Sequence, residues 1–216
     1  MLAGDWRNFA NCGLLKAMDS SAPSEAARSV AHDFNNAIAI VLLNAQLVLD
    51  QLLPDHPLRI ELVELCAAAE RASALARELV PGSPASTATL PPLSATPTAA
   101  AQGGTVLVIE DDESVRAAIH SVLSRRGFRV LDAADGAEAE ALARAEPIID
   151  LVLTDFNLPD TSGAEVARLV CERHAEARVL FMSGSARPAY ADRFLQKPFT
   201  PQVLLRKVRL ALEAAP

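Results

Sequence analysis

The stretch Asp150-Leu-Val-Leu-Thr-Asp-Phe-Asn-Leu-Pro-Asp160 carries the pattern of a central strand that runs out into an acid. Leu151 to Leu153 is a short apolar run of the kind buried on both faces of a parallel sheet. The run stops at Asp155, and Pro159 bars its extension. A carboxylate therefore stands at the carboxyl end of a strand, where open α/β sheets build their ligand sites. A buried structural Asp would explain Asp155 equally well if it stood alone. It does not, because four other stretches bring matching chemistry to the ends of other strands.

Outward from that stretch, strand and helix patterns alternate from Thr105 onward. Strands are expected at Thr105–Ile109, Phe128–Asp132, Leu151–Thr154, Val179–Met182 and Phe194–Lys197. Helices are expected at about Ser114–Arg126, Gly136–Ala145, Gly163–His174 and Pro201–Ala214. Such alternation implies an α/β class fold, a doubly wound parallel sheet with right-handed crossovers. In a flavodoxin-like, five-stranded order 2-1-3-4-5, the first and third strands are neighbours at the topological switch point. Glu110, Asp111 and Asp155 then converge. Like charges about 4 Å apart cost on the order of 4 kcal/mol per pair at an effective dielectric near 20. A hard divalent cation on oxygen ligands answers that repulsion, and Mg²⁺ keeps positions open for phosphate oxygens. Lys197, ending the fifth strand, supplies a positive charge, and Ser183, ending the fourth, a hydroxyl. Asp112 reads as a solvated or helix-capping acid. Only residues 184 to 193 separate Ser183 from Phe194, while a usual helix takes about 11 residues before its loops. The fourth helix of the sheet domain is therefore expected to be lost or shortened.

The preceding chain has a different character. From about Pro23 to Leu53, Val30, Phe34, Ile38, Val41, Ala45, Val48 and Leu52 recur at coiled-coil spacing. Pro54-Asp55-His56-Pro57 breaks the helix. A second seam follows at Leu58, Leu62, Leu65, Ala69, Ala72, Leu75 and Leu79. So short a turn implies an antiparallel helical hairpin. Its wet apolar surface is expected to pair two copies into a four-helix bundle. On the first helix His32 lies roughly 160° from Val30 and Phe34, which puts it and Asn36 on an expected solvent face with Asp33 beside the imidazole. A solvated polar face is one reading; a nucleophilic His with a carboxylate to fix its tautomer is the other.

Composition sets the outer limits. The 216 residues carry a net charge of −7, half of them are hydrophobic and only 4% aromatic. That balance argues against a nucleic-acid surface, which wants clustered Lys and Arg. Cys12, Cys66 and Cys171 are scattered without metal spacing, as in a reducing cytosol. The longest apolar window, Ala37 to Leu49, is too short to span a bilayer, and no signal peptide is evident, so a cytoplasmic location without membrane attachment is expected. The organisation expected is an unassigned segment 1–22, a hairpin 23–80, a Pro/Ala/Ser/Thr-rich flexible linker 81–104 and the sheet domain 105–216.

Two resemblances sharpen this reading. Val-Ile-Glu110-Asp111-Asp112, Thr154-Asp155 with Leu158-Pro159, Met182-Ser183-Gly184 and Lys197-Pro198-Phe199 resemble the receiver domain of response regulators, over essentially all of Thr105 to Ala214. That resemblance implies that Asp155 is phosphorylated and that Glu110, Asp111, Asp155 and the Asn157 carbonyl bind Mg²⁺. It implies too that Ser183 and Lys197 bind phosphoryl oxygens, and that Lys197-Pro198 is cis. Phe194 would be either a rotameric switch aromatic or a plain core residue. Ser29-Val-Ala-His-Asp-Phe-Asn-Asn36 is similar to the H-box of sensor histidine kinases, in the HDFNN form. The helix ending at Val80 resembles the second helix of their dimerisation and phosphotransfer module. By that likeness His32 is a phosphoacceptor, Asp33 its general base and Asn36 a water-orienting residue. The kinase ATP-binding domain does not follow the hairpin, so self-phosphorylation from ATP is not expected, and output is expected to be phosphate transfer or protein contact. The function implied is Mg²⁺-dependent phosphorelay between phosphohistidine and Asp155, with a sensor histidine kinase or other relay protein as partner. Two alternatives stay open: a dimeric adaptor or phosphate sink with a silent His32, and half of a split hybrid kinase served by an ATPase domain in trans.

Overall fold

The computed structural model describes residues 25–79, 103–159, 161–184 and 193–213. Helix α1 spans Glu25–Leu49 and α2 spans Leu58–Leu79. Then come β1 (Thr105–Ile109), α3 (Glu113–Ser124), β2 (Arg129–Ala133), α4 (Gly136–Ala145), β3 (Leu151–Asp155), α5 (Gly163–Arg173), β4 (Arg178–Ser183), β5 (Phe194–Gln196) and α6 (Pro201–Glu213). The sheet is parallel throughout, in the order β2-β1-β3-β4-β5. This is the flavodoxin-like arrangement the alternation implied, with boundaries within one or two residues. The region of the fourth sheet-domain helix, residues 185–192, lies outside the described residues, as do segment 1–22 and linker residues 81–102. Gly103 and Gly104, expected in the linker, already belong to the domain: the Gly104 carbonyl accepts from Arg129 N at 3.2 Å.

Period-two alternation in each strand builds a core on both faces of the sheet. Val106, Val108, Leu151, Leu153, Leu180, Met182 and Leu195 pack against α3 and α6. Leu107, Ile109 and Val152 face the other way, toward Ala139 and Ala143 of α4 and Val166 and Val170 of α5. Phe156, Phe181 and Phe194 join on that side, with ring centroids 5.2 to 5.8 Å apart. The short helices are fixed by their caps. Asp112 accepts from Ser114 N at 2.9 Å and Val115 N at 3.1 Å, Asp135 accepts from Glu138 N, and Ser162 from Glu165 N. Asp112 is thus a helix cap, as one of its two expected roles.

The hairpin forms, and its turn is held by side chains. The Arg59 guanidinium donates from α2 to the Leu49 and Leu52 carbonyls, groups the end of α1 leaves without helical partners. The packing of α1 differs from the expected seam, however. Val30 is 68% and Phe34 38% exposed. Val48 is exposed as well, and along α2 so are Leu58, Leu65 and Leu75; of the second seam's members with described side chains, Ala69 is the buried one. The buried side of α1 instead carries Asn36, Ala39, Leu42 and Leu43. Leu43 sits wholly inside the cluster shared with α3 and α6, with Ile40 and Leu47 packed at its edge. The face expected to meet water is the face that meets the sheet domain. The reason is that Ile40, Leu43 and Leu47, outside the expected seam, form a second apolar stripe on a two-sided helix.

Leu43→Ala removes buried methyl groups from this shared core. Urea unfolding should show a loss of about 2–5 kcal/mol. A hairpin detached from the sheet domain would leave its midpoint unchanged.

Candidate functional site

Four of the five strands each hand one group to the carboxyl edge of the sheet. Glu110 follows β1 directly, and its backbone is tied to β2 by donation from its N to the Ala133 carbonyl. Asp155 ends β3, Ser183 ends β4, and Lys197 follows β5, with Lys197 N donating to the Ser183 carbonyl at 2.7 Å. The β3 end is further braced by α5. A Cβ on Gly163 would stand 1.9 Å from the Asp155 carbonyl oxygen, so only glycine admits that approach. The loop after β3 turns back through Asn157 N, which donates to Asp155 Oδ1 at 2.9 Å. On the β1 side the Arg116 guanidinium donates to the Glu110 carbonyl at 2.6 Å, fixing the loop that carries Asp111.

At the centre the Lys197 ammonium reaches Glu110 Oε2 at 2.7 Å, Glu110 Oε1 at 3.0 Å and Asp155 Oδ2 at 2.5 Å. A fourth contact comes from outside the sheet: Asn36 Oδ1 accepts from Lys197 Nζ at 3.2 Å. Lys197 is only 1% exposed, and Glu110, Asp155 and Ser183 are equally enclosed. The Glu110 carboxyl is held up at about 7: burial raises it most, the Lys197 charge and hydrogen bond lower it, and Asp155 and Asp111 raise it. Burial pulls the Lys197 ammonium down, but Glu110 and Asp155 outweigh it, and the net direction is up. Both directions fit one picture. One positive charge faces two buried carboxylates, so the ammonium keeps its proton and the carboxylate left over resists losing one.

Glu110, Asp111 and Asp155 each present an oxygen within 4.8 Å of one another. Among the described residues Asp111 Oδ1 is a buried acceptor without a hydrogen-bond partner. A buried carboxylate oxygen left bare is costly, and a bound cation could satisfy it. An all-oxygen set of this kind suits a hard divalent ion.

Six residues expected at the site are thus brought together: Glu110, Asp111, Asp155, Ser183, Lys197 and Asn36. Asn36 arrives by an unexpected route, 4% exposed against the sheet domain rather than facing water. Asp33 is exposed on α1, and the His32 side chain lies outside the described residues. Asn157 flanks the site through its backbone, and its side chain is exposed. Lys197-Pro198 is cis. Phe194 is buried in the aromatic cluster. Cys66 and Cys171 are free thiols, and Cys12 lies outside the described residues. No described helix is long and apolar enough to cross a membrane. The sequence reading missed Arg116, and it held Asn35 and Gly184 only as members of motifs, without a packing role. A Cβ on Gly184 would stand 2.8 Å from Asn35 Nδ2, so the glycine makes room for α1.

Comparison with known proteins gives this geometry a family. Residues 106–209 match the response regulator receiver domain. The chain is 30% identical over 118 residues to the chemotaxis protein CheY1 of Helicobacter pylori, a match covering 50% of this chain and 95% of that protein. The chain belongs to the response regulator receiver family. Sensor kinase CckA of Brucella abortus is 33% identical over 118 residues, which is 50% of this chain but 12% of that kinase. The transcriptional regulatory protein GltR of Pseudomonas aeruginosa is 31% identical over 126 residues, covering 53% of this chain and 51% of GltR. Among solved structures, CheY4 of Vibrio cholerae covers 51% of this chain and 99% of its own, at 28% identity and a TM-score of 0.47. The receiver domain of hybrid histidine kinase CckA covers 51% and 100% at 33% identity and a TM-score of 0.45. The acid cluster is that of a two-component receiver. The match stops short of α1 and α2.

The Glu110 shift carries a pH signature in chelator-treated receiver. Its folded value near 7 lies above the ordinary 4.5, so between the two the folded state holds a proton the unfolded chain has lost. Stability from this group is full below about pH 4.5 and is lost as pH rises through about 7. Its span is about 3 kcal/mol. Glu110→Gln should flatten that part of the unfolding profile relative to wild type, and an unchanged slope would refute the assignment.

Proposed function

We propose that this chain is a dimeric phosphorelay protein in which Asp155 takes a phosphoryl group from a phosphohistidine, with His32 as a second phosphoacceptor. The observation that carries the reading is the Lys197 ammonium, held between Glu110, Asp155 and the Asn36 amide. It links the receiver chemistry to the helix bearing His32, which stands one helical turn before Asn36.

The chemistry follows from the groups present. One Asp155 carboxylate oxygen attacks phosphorus in line, an acyl phosphate P–O bond forms, and the P–N bond to the donor imidazole breaks. The electron pair of that bond returns to the imidazole, which leaves neutral after taking up a proton. Lys197 neutralises charge on the transferring oxygens, and the Ser183 hydroxyl donates to them. Glu110, Asp111, Asp155 and the Asn157 carbonyl would hold Mg²⁺, which when bound screens the phosphoryl charge from the carboxylates. On the hairpin, Asp33 would hold the His32 imidazole in one tautomer. Asn36 would orient water for acyl-phosphate hydrolysis only while α1 is docked on the receiver. Sensor histidine kinases or other relay proteins are the partners in this reading.

Acetyl phosphate with Mg²⁺ should label the protein with a base-labile phosphate that Asp155→Asn abolishes. Transfer from a phosphorylated partner kinase should add an acid-labile, base-stable label that His32→Ala removes while leaving the first intact. Loss of the second label alone would reduce the chain to an adaptor or phosphate sink.

A dimer is supported by the apolar stripe left wet on the hairpin, with Val30, Phe34 and Val48 on α1 and Leu58, Leu65 and Leu75 on α2. Heptad-like spacing of this sort is the pattern of a helical-bundle seam. Phe34→Glu with Leu65→Glu should convert a dimer to a monomer in sedimentation analysis, with the receiver still folded. Wild-type protein that sediments as a monomer would remove this part of the proposal.

A further inference from the structure

We propose that the α3–α6 face of the receiver is a groove for the chain's own helix α1, which shuts the acid site in the resting protein and is released when Asp155 carries a phosphoryl group. This rests on Asp155 as phosphoryl acceptor and is independent of whether His32 takes phosphate. Three separate contacts pin α1 down the length of the groove. At one end Asn36 Oδ1 accepts from Lys197 Nζ at 3.2 Å. In the middle Leu43 is fully enclosed among residues of α3 and α6, flanked by Ile40 and Leu47. At the far end Asp50 Oδ2 lies 3.6 Å from Arg126 Nη2. Asn36, Ile40, Leu43, Leu47 and Asp50 follow one another at steps of three and four, a single helical face.

The groove is cut for this occupant. Among the described residues, the atoms within 4 Å of a Cβ built on Gly184 are both from Asn35, its Nδ2 at 2.8 Å and Cγ at 3.7 Å. A side chain at this position would therefore meet the Asn35 amide of α1 first among the described residues. A helix of another protein seeking the same face must first displace α1, so the docked hairpin also screens the receiver from phosphodonors in trans.

Release follows from what the ammonium prefers. Lys197 has three N–H donors, and its acceptors are two carboxylates and one neutral amide. Hydrogen bonds to ionised oxygens are roughly twice as strong as those to neutral ones. A phosphoryl group on Asp155 presents further anionic oxygens at the same point, so Asn36 is the acceptor that loses. Coupling of this kind is reciprocal: what weakens docking when the site fills makes the undocked form bind phosphoryl analogues more tightly.

Amide hydrogen exchange of the full chain tests this, with Mg²⁺ and BeF₃⁻ as the phosphoryl analogue and ¹⁹F NMR reporting its binding independently. Exchange over residues 36–47 should rise at least tenfold on binding, while β1 and β3 stay protected. Gly184→Val should produce the same rise without ligand, and Asn35→Ala in that background should restore protection. Asp50→Arg, at an exposed ion pair, should give a smaller rise and keeps the test decisive if Gly184→Val misfolds. A bound fluoride signal with unaltered exchange over 36–47, or variants that leave α1 as protected as wild type, would overturn the gate. Absence of any bound fluoride signal would overturn the Asp155 assignment, and the gate with it.

Discussion

A single ammonium group among buried carboxylates sets the terms for the rest of this molecule. Lys197 reaches Glu110 across 87 residues of sequence and Asp155 across 42, so three strands meet at one charge. A buried ion pair of this kind is a poor source of stability, because desolvation consumes most of the attraction. Its use is to hold negative charge concentrated and short of counter-ions. The parallel sheet is the device that makes this possible, since its strands all deliver their carboxyl ends to the same edge. Apolar packing on both faces supplies the stability that the site itself does not.

The hairpin enters as a further layer: sheet, then α3 and α6, then α1 with α2 outside it. A helix between a domain core and a partner helix needs apolar groups on more than one side, and α1 has them. Ile40, Leu43 and Leu47 serve the receiver, Leu42 and Ala45 are buried as well, and Val30, Phe34 and Val48 remain in water. Polar residues are placed where the helix crosses the acid edge, with Asn35 and Asn36 supplying amides rather than charges. A carboxylate at Asn36 would add a fourth acid to the three that already face a single ammonium.

Most of the sheet domain was legible in the sequence because its physics is local. Short apolar runs ending in Glu110, Asp155 and Ser183, separated by capped helical periods, fix strand order and acid position without help from distant residues. The same holds for Asp112, whose capping role follows from its place before an apolar helix. The docking of α1 was not legible, for a clear reason. Periodicity reports that a helix has an apolar stripe but not what covers it, and of two stripes it favours the one of more regular heptad spacing, Val30 to Leu52. Asn36 was recognised as a site residue, yet for a face thought to be wet. Arg116 carries no pattern, and the motif Met182-Ser183-Gly184 does not say what Gly184 faces; their roles come from contacts with a backbone carbonyl and with an amide on another helix.

The Asn36–Lys197 bond joins residues 161 positions apart, and this separation bears on how the chain comes to be made. At ordinary translation rates, on the order of ten seconds pass between completion of α2 and emergence of α6. Throughout that interval the nascent hairpin has neither its groove nor its ammonium. Both of its greasy sides are offered to whatever is nearest, and on a crowded polysome the nearest identical surface is the hairpin of the neighbouring chain. If copies pair through the hairpin, that pairing would precede closure of each receiver by its own helix.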